Sequence, residues 1–235
     1  MNIKKPHYLS VITISRIAGI LIILGIVSGI LSIVSSVESE SFLNEVYPNK
    51  NRVLIGAIFQ FLLVPIYIGF SLVLYPILKK YNKTLSIGFI GFRIMAGVFQ
   101  LLGIILLPIF ILLSQKFLAQ TNTDLMIYET LSEILKLFRD LTNHLGVILA
   151  TGLGNLLFYY ILFKGKLVPI WLSTWGILGN TLIMVASFLL LFELIEVVSI
   201  EYGIMTIPLV LQEVVLAIWL IIKGLNSPVT TQINN

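Results

Sequence analysis

A chain of 235 residues that is 58% hydrophobic and 11% charged departs from soluble domains, of which about a quarter is charged; with a mean hydropathy of +1.03, its main solvent is lipid. The net charge of +4 lies in short loops with no basic tract or basic-aromatic repeat, which argues against a nucleic-acid partner. The absence of cysteine excludes disulfides, thiolate metal sites and cysteine nucleophiles. Within lipid the backbone must be satisfied by helices or a closed barrel. Runs such as 17–34 and 98–113 are apolar on every face, without the alternation of a barrel strand, so the expected class is all-α: a polytopic transmembrane bundle.

In chain order, the basic start Met1–Lys5 precedes an apolar stretch over 17–37. That stretch exceeds the roughly 7–15 residues of a signal-peptide core and lacks a small-residue cleavage site, so it reads as a retained first span. Apolar runs between charged punctuation place six spans at 14–37, 52–78, 85–114, 141–163, 167–192 and 203–222, all in one transmembrane domain over 1–225. Between the third and fourth, over 122–139, Leu125, Tyr128, Leu131, Leu135 and Phe138 recur at helical spacing among Asp124, Glu129, Glu133 and Lys136. This is either an amphipathic helix on the outer surface or an outward extension of the fourth span. The polar stretch 226–235, with Pro228, reads as a flexible tail.

The connections sort by charge. One side collects Lys4, Lys5, Lys79, Lys80, Lys83, Lys164, Lys166 and Lys223, with Arg16 near the same boundary; the other holds the acidic residues, from Glu38 to Glu201, diluted by Lys50, Arg52, Lys116, Lys136 and Arg139. The positive-inside bias then predicts both termini in the cytoplasm.

Ionisable groups inside spans cost about 2.5–3.5 kcal/mol on insertion scales and ask for a partner or a role. Arg93 lies ten residues after Lys83, and Glu213 ten before Lys223, so each sits about 15 Å from the same boundary. Equal depth makes an Arg–Glu pair feasible, with the guanidinium fork matching a carboxylate; the bland alternative is a snorkelling Arg93 beside a neutral Glu213. A functional reading adds Arg16, Gln60, Gln100, Asn155, Asn180 and Gln212 as the lining of a polar cavity. With Arg16 included, its positive excess suits a carboxylate, phosphate or lipid head group. At the opposite end, Asp140, Asn143, His144, Glu193 and Glu196 could offer a divalent cation ligands, but they read more simply as a solvated rim. No metal site and no cofactor is expected.

Gly25 and Gly29 form a G-x-x-x-G, and Gly88, Gly91, Gly97 and Gly103 thin one side of the third span, marking packing surfaces. Pro65 and Pro108 inside spans could kink helices and open a cavity. No G-x-S-x-G, H-E-x-x-H or P-loop is found, so no catalytic residue is assigned.

Four stretches in this order resemble a bacterial membrane family, the domain of unknown function 4386: Tyr75-Pro76-Ile77-Leu78-Lys79-Lys80, the run from Gly88 through Arg93 to Ile94, Leu167-Val168-Pro169-Ile170-Trp171-Leu172, and Glu213 leading to Trp219 and Lys223-Gly224. The resemblance implies six spans in a bacterial cell membrane and supplies no activity. Many members look as though they place an acidic residue three positions after the third-span arginine, where this chain has Ala96; that departure makes Glu213 the leading partner for Arg93. The expected function is a binding or transport-type bundle for a small anionic or amphiphilic ligand, with a non-catalytic scaffold or accessory subunit as the alternative and a lipid-acting membrane enzyme third. The bilayer is the one sure partner, and the oligomeric state is left open.

Overall fold

The computed structural model describes residues 9–119 and 125–226; the expectations for Lys4, Lys5, Asp124, the Leu125 side chain and the tail beyond Asn226 lie outside them. Helix α1 spans Val11–Leu31. Ser10 starts it by accepting the N–H of Thr13 at 3.1 Å, satisfying one of the donors that a helix start leaves free. It stops at Ser32, short of the expected residue 37, where the serine hydroxyl donates to the Gly29 carbonyl at 2.7 Å and competes with continued helix. Two one-turn helices follow, α2 (Ser35–Glu38) and α3 (Phe42–Glu45). The remaining elements are α4 (Lys50–Leu78), α5 (Lys83–Ala119), α6 (Leu125–Asp140), a π-helical segment (Leu141–Val147), α7 (Ile148–Lys164), α8 (Ile170–Leu191) and α9 (Ile200–Ile222).

Among the described residues there is no strand, and six rods are long and apolar enough to cross a membrane: α1, α4, α5, the continuous rod running through α6 and α7, α8 and α9. Each packs against its neighbour in the chain, and α9 returns to pack on α1, so the spans close a ring. Large apolar side chains such as Ile20, Ile58, Ile105 and Leu178 stay exposed on its outside, where lipid takes the place of water. Inside lie Leu74, Phe89, Phe158, Leu162, Leu172 and Leu216.

The lysine-rich end is tied by polar contacts. Arg16 Nε donates to the Ile221 carbonyl at 3.3 Å, the Leu225 N–H to Ser15 Oγ at 3.0 Å, and Asn226 Nδ2 to the Lys166 carbonyl at 2.7 Å. At the acid-rich end, α2 and α3 bury Val37, Phe42 and Val46 against Leu107 and Phe110 of α5, and Ser114 donates to the Leu43 carbonyl at 2.6 Å.

At 37 residues, α5 is about 55 Å long against about 30 Å of hydrocarbon, so its end projects beyond the membrane together with α6. Of the two readings of 122–139, the extension is what forms, since α6 passes through the π segment into α7 without a break. Its amphipathic character survives with a reversal. Ser132 and Arg139 are buried, Tyr128 and Leu135 pack inward, but Leu131 and Phe138 are exposed, because the inner side meets Glu38 of α2. Neither Pro65 nor Pro108 breaks its helix: α4 and α5 run through them.

Candidate functional site

The centre of the ring is organised by Arg93, which is only 4% exposed. On α5 it shares a face with Ala96, Gly97 and Gln100, at the three-, four- and seven-residue intervals of one helical stripe. Across from this stripe stand Leu63, Val64 and Tyr67 of α4, with Val147 and Thr151 of the fourth rod. Because Ala96 and Gly97 are small, the stripe leaves a cavity of about 40 Å³ beside the guanidinium. On its other side Arg93 walls a second cavity, about 10 Å³, with Tyr67, Asn155, Tyr159 and Glu213. A water needs about 10–15 Å³ on this scale; the first space therefore holds a few waters or one small solute, and the second at most a single water.

Arg93 has unusual company. Its guanidinium carbon lies 5.0, 5.5 and 5.7 Å from the ring centres of Tyr67, Phe89 and Phe70, close enough for cation–π attraction. Phe70 and Phe89 belong to an aromatic cluster in which Phe89 stacks on Phe158 at 5.1 Å. One hydrogen bond reaches the head group: Nη2 donates to Asn155 Oδ1 at 2.6 Å. Asn155 Nδ2 passes the chain to Asn180 Oδ1 at 2.8 Å, and Asn180 Nδ2 ends it on the Gly176 carbonyl at 2.7 Å. The Arg93 Nε is buried without a hydrogen-bond partner among the described residues.

The feasible Arg93–Glu213 pair is not made as a direct contact. The two share the smaller cavity, in keeping with their equal depth, but among the described residues the ion pairs within 4.0 Å involve Arg139 and leave Arg93 and Glu213 apart. Glu213 makes no hydrogen bond there either. Around the larger cavity the Tyr67 hydroxyl, the Gln100 amide and the Thr151 hydroxyl likewise have no hydrogen-bond partner among the described residues. A cation and three neutral polar groups, each able to donate, thus converge on one space.

The other expected lining residues divide. Asn155 and Gln100 reach the cavities. Gln212 does not: fully buried, it accepts from the Tyr159 hydroxyl at 2.6 Å and donates to the Leu172 carbonyl at 3.1 Å, joining α7, α8 and α9. Arg16 is exposed at the lysine-rich end, since it precedes Arg93 in depth by several helical turns. Gln60 donates to the Ser32 carbonyl at 3.4 Å, and Asn180 serves the chain above. Sequence reasoning missed Tyr67, Thr151 and Tyr159; the signal available was a hydroxyl inside an apolar span, which hydropathy scarcely registers.

Of the acid-rich constellation, Asp140, His144, Glu193 and Glu196 do share a cavity, of about 630 Å³, with Glu38, Glu40 and Lys136. Asn143 turns away to pack on Gly103, and His144 Nδ1 lies 3.1 Å from the Tyr202 hydroxyl. Among the described residues no three His, Asp or Glu side chains converge as a metal ion requires.

A family model described as "Domain of unknown function (DUF4386)" matches residues 17–224. No curated protein and no solved structure matches the chain.

Proposed function

The chain belongs to the family of domain of unknown function 4386, a description with no activity to inherit, and we propose from the polar centre itself that the bundle binds a small monovalent anion beside Arg93. The observation that carries this reading is Arg93, 4% exposed, its guanidinium with no carboxylate within 4.0 Å among the described residues, walling a 40 Å³ space shared with Tyr67, Gln100 and Thr151. A buried charge is expensive unless it is paired, and charge-assisted hydrogen bonds from a guanidinium are the strong kind. The volume fits a halide or a one-carbon carboxylate and is too small for the tail of an amphiphile. In this reading the lysine-rich end is the cytoplasmic face of a bacterial cell membrane and both termini lie there, as the positive-inside bias favours.

Equilibrium binding of radiolabelled chloride and of formate to the detergent-solubilised protein tests the proposal. Saturable binding is expected for the wild type. Arg93→Gln should weaken it by about tenfold to a hundredfold, the worth of hydrogen bonds to a charged group. No saturable binding of either anion, or equal binding by Arg93→Gln, overturns the reading.

A second reading has an observation of its own. The run from Arg93 through Asn155 and Asn180 to the Gly176 carbonyl links α5, α7 and α8, as the polar core of a scaffold or accessory subunit would. It predicts that Arg93→Gln lowers the thermal midpoint while the wild type binds neither anion.

A further inference from the structure

Arg93 is the common wall of two cavities, and the groups on its two sides differ in kind. Tyr67 lines both; one cavity adds Gln100 and Thr151, without hydrogen-bond partners among the described residues, and the other adds Glu213, the only carboxylate among those residues that lines either space. We infer that the anion is bound together with a proton, which Glu213 takes up, so that the site loads the equivalent of a neutral acid. The inference rests on the anion site proposed above.

Charge balance carries the argument. Arg93 and Glu213 face the same small cavity, and in this proposal the empty centre pairs an Arg93 cation with a Glu213 carboxylate, neutral in sum. An anion added beside Arg93 would leave one net negative charge inside a low-dielectric ring, where charge is least tolerated. Transfer of a proton from the aqueous phase to a Glu213 oxygen restores neutrality: an O–H bond of hydronium breaks to leave water, the carboxyl O–H bond forms, and the anion inherits the attraction of the guanidinium.

Geometry permits the exchange. Glu213 has no ion pair within 4.0 Å and no hydrogen bond among the described residues to break, and no direct Arg93–Glu213 contact must be pulled apart. The groups facing Glu213 across the cavity come from α1 (Ile22), α4 (Tyr67, Phe70), α5 (Arg93) and α7 (Asn155, Phe158, Tyr159), while α8 adds none to the lining. The charged and titratable ones are therefore Arg93, Tyr67 and Tyr159. The Tyr159 hydroxyl already donates a hydrogen bond to Gln212 Oε1 at 2.6 Å. With Arg93 held cationic and both tyrosines neutral, Glu213 is the group left to accept the proton.

The test counts protons. Sodium chloride is added to lightly buffered, detergent-solubilised wild type at a series of pH values, with bound chloride and proton uptake measured together. A proton per chloride is expected, with affinity falling about tenfold for each pH unit over the range where the empty centre keeps Glu213 ionised. Glu213→Gln should bind chloride with a flat pH profile and no proton uptake. Chloride bound by the wild type without protons, or a pH slope that persists in Glu213→Gln, overturns the linkage and leaves the anion site standing. No chloride bound at any pH removes the anion site and the linkage with it. Should Glu213→Gln fail to fold, the proton count on the wild type decides alone.

Discussion

At the acid-rich end a cavity of about 630 Å³ opens among Glu38, Glu40, Asp140, Glu193 and Glu196, whereas the space beside Arg93 measures about 40 Å³. Size alone would favour the first, since ligand pockets commonly run to hundreds of cubic ångströms. Partnering points the other way. Two of the large cavity's carboxylates are held by Arg139, buried behind its wall, which reaches Glu38 Oε1 at 2.8 Å and has Asp140 at 3.8 Å, and Lys136 Nζ in the wall donates to the Ser39 carbonyl at 3.1 Å. Arg93, equally buried, has aromatic rings and one asparagine oxygen in contact and, among the described residues, no carboxylate within 4.0 Å. Both arginines bury an Nε without a hydrogen-bond partner among the described residues; what separates them is that Arg139 has carboxylates of this chain within 4.0 Å and Arg93 has none among those residues.

The sharpest way to break this contrast is to give Arg93 a carboxylate of its own. Ala96 lines the larger cavity one helical turn from Arg93, so Ala96→Asp places an anion tethered to α5 in the space assigned to the bound one. Chloride affinity should fall by about a hundredfold, on the scale of losing charge-assisted hydrogen bonds, while the thermal midpoint in detergent rises. Ala96→Asn, of similar shape without the charge, should lose far less affinity. If Ala96→Asp binds chloride like the wild type, the space beside Arg93 is not the anion's.

A smaller effect is expected from the answered arginine. Arg139→Ala leaves Glu38 without its partner and should cost about 1–3 kcal/mol of stability, read as a lower thermal midpoint, with chloride affinity unchanged. Loss of chloride binding in this variant would mean that the two ends of the bundle are coupled and the contrast is false.

The spans and the depth of the charged pair could be read from hydropathy because both depend on one coordinate, distance along a helix. Arg93 and Glu213 do face one cavity, and Gln100 follows Arg93 by seven residues on the same face, as helical spacing implies. What sequence could not supply was rotation and closure. The π segment over Leu141–Val147 inserts a wide turn that resets which residues of the fourth rod point inward, and it lies just before Thr151. No periodicity in the sequence announces it. The glycines show the same limit. In the expected G-x-x-x-G pair, Gly25 seats the Tyr67 ring at 3.0 Å from its would-be Cβ, but Gly29 has nothing within 4 Å. Gly176, given no role beforehand, is where a Cβ would strike the Tyr159 ring, so it holds open the position from which Tyr159 reaches Gln212.

The smallest prediction concerns a carboxylate outside the spans, where water and local hydroxyls replace the cavities beside Arg93. Glu45 Oε1 accepts from the Ser41 hydroxyl at 2.6 Å and from Ser39 at 2.8 Å, and these bonds, Ser41 first, hold its carboxyl below the ordinary value of 4.5. A depressed folded-state value means that the unfolded chain binds more protons in that window. The contribution to stability is therefore complete above pH 4.5 and is lost as pH falls through the folded-state value. Carbon-13 NMR of the labelled glutamate carboxyls should place the Glu45 midpoint below 4.5 in the wild type and move it upward in Ser41→Ala, with a further rise when Ser39→Ala is added. Chloride affinity should not move in either variant, since Glu45 faces neither cavity beside Arg93. An unshifted midpoint would show that hydroxyl bonding does not govern this carboxylate, and the contrast between locally answered charges and the unanswered Arg93 would lose its simplest instance.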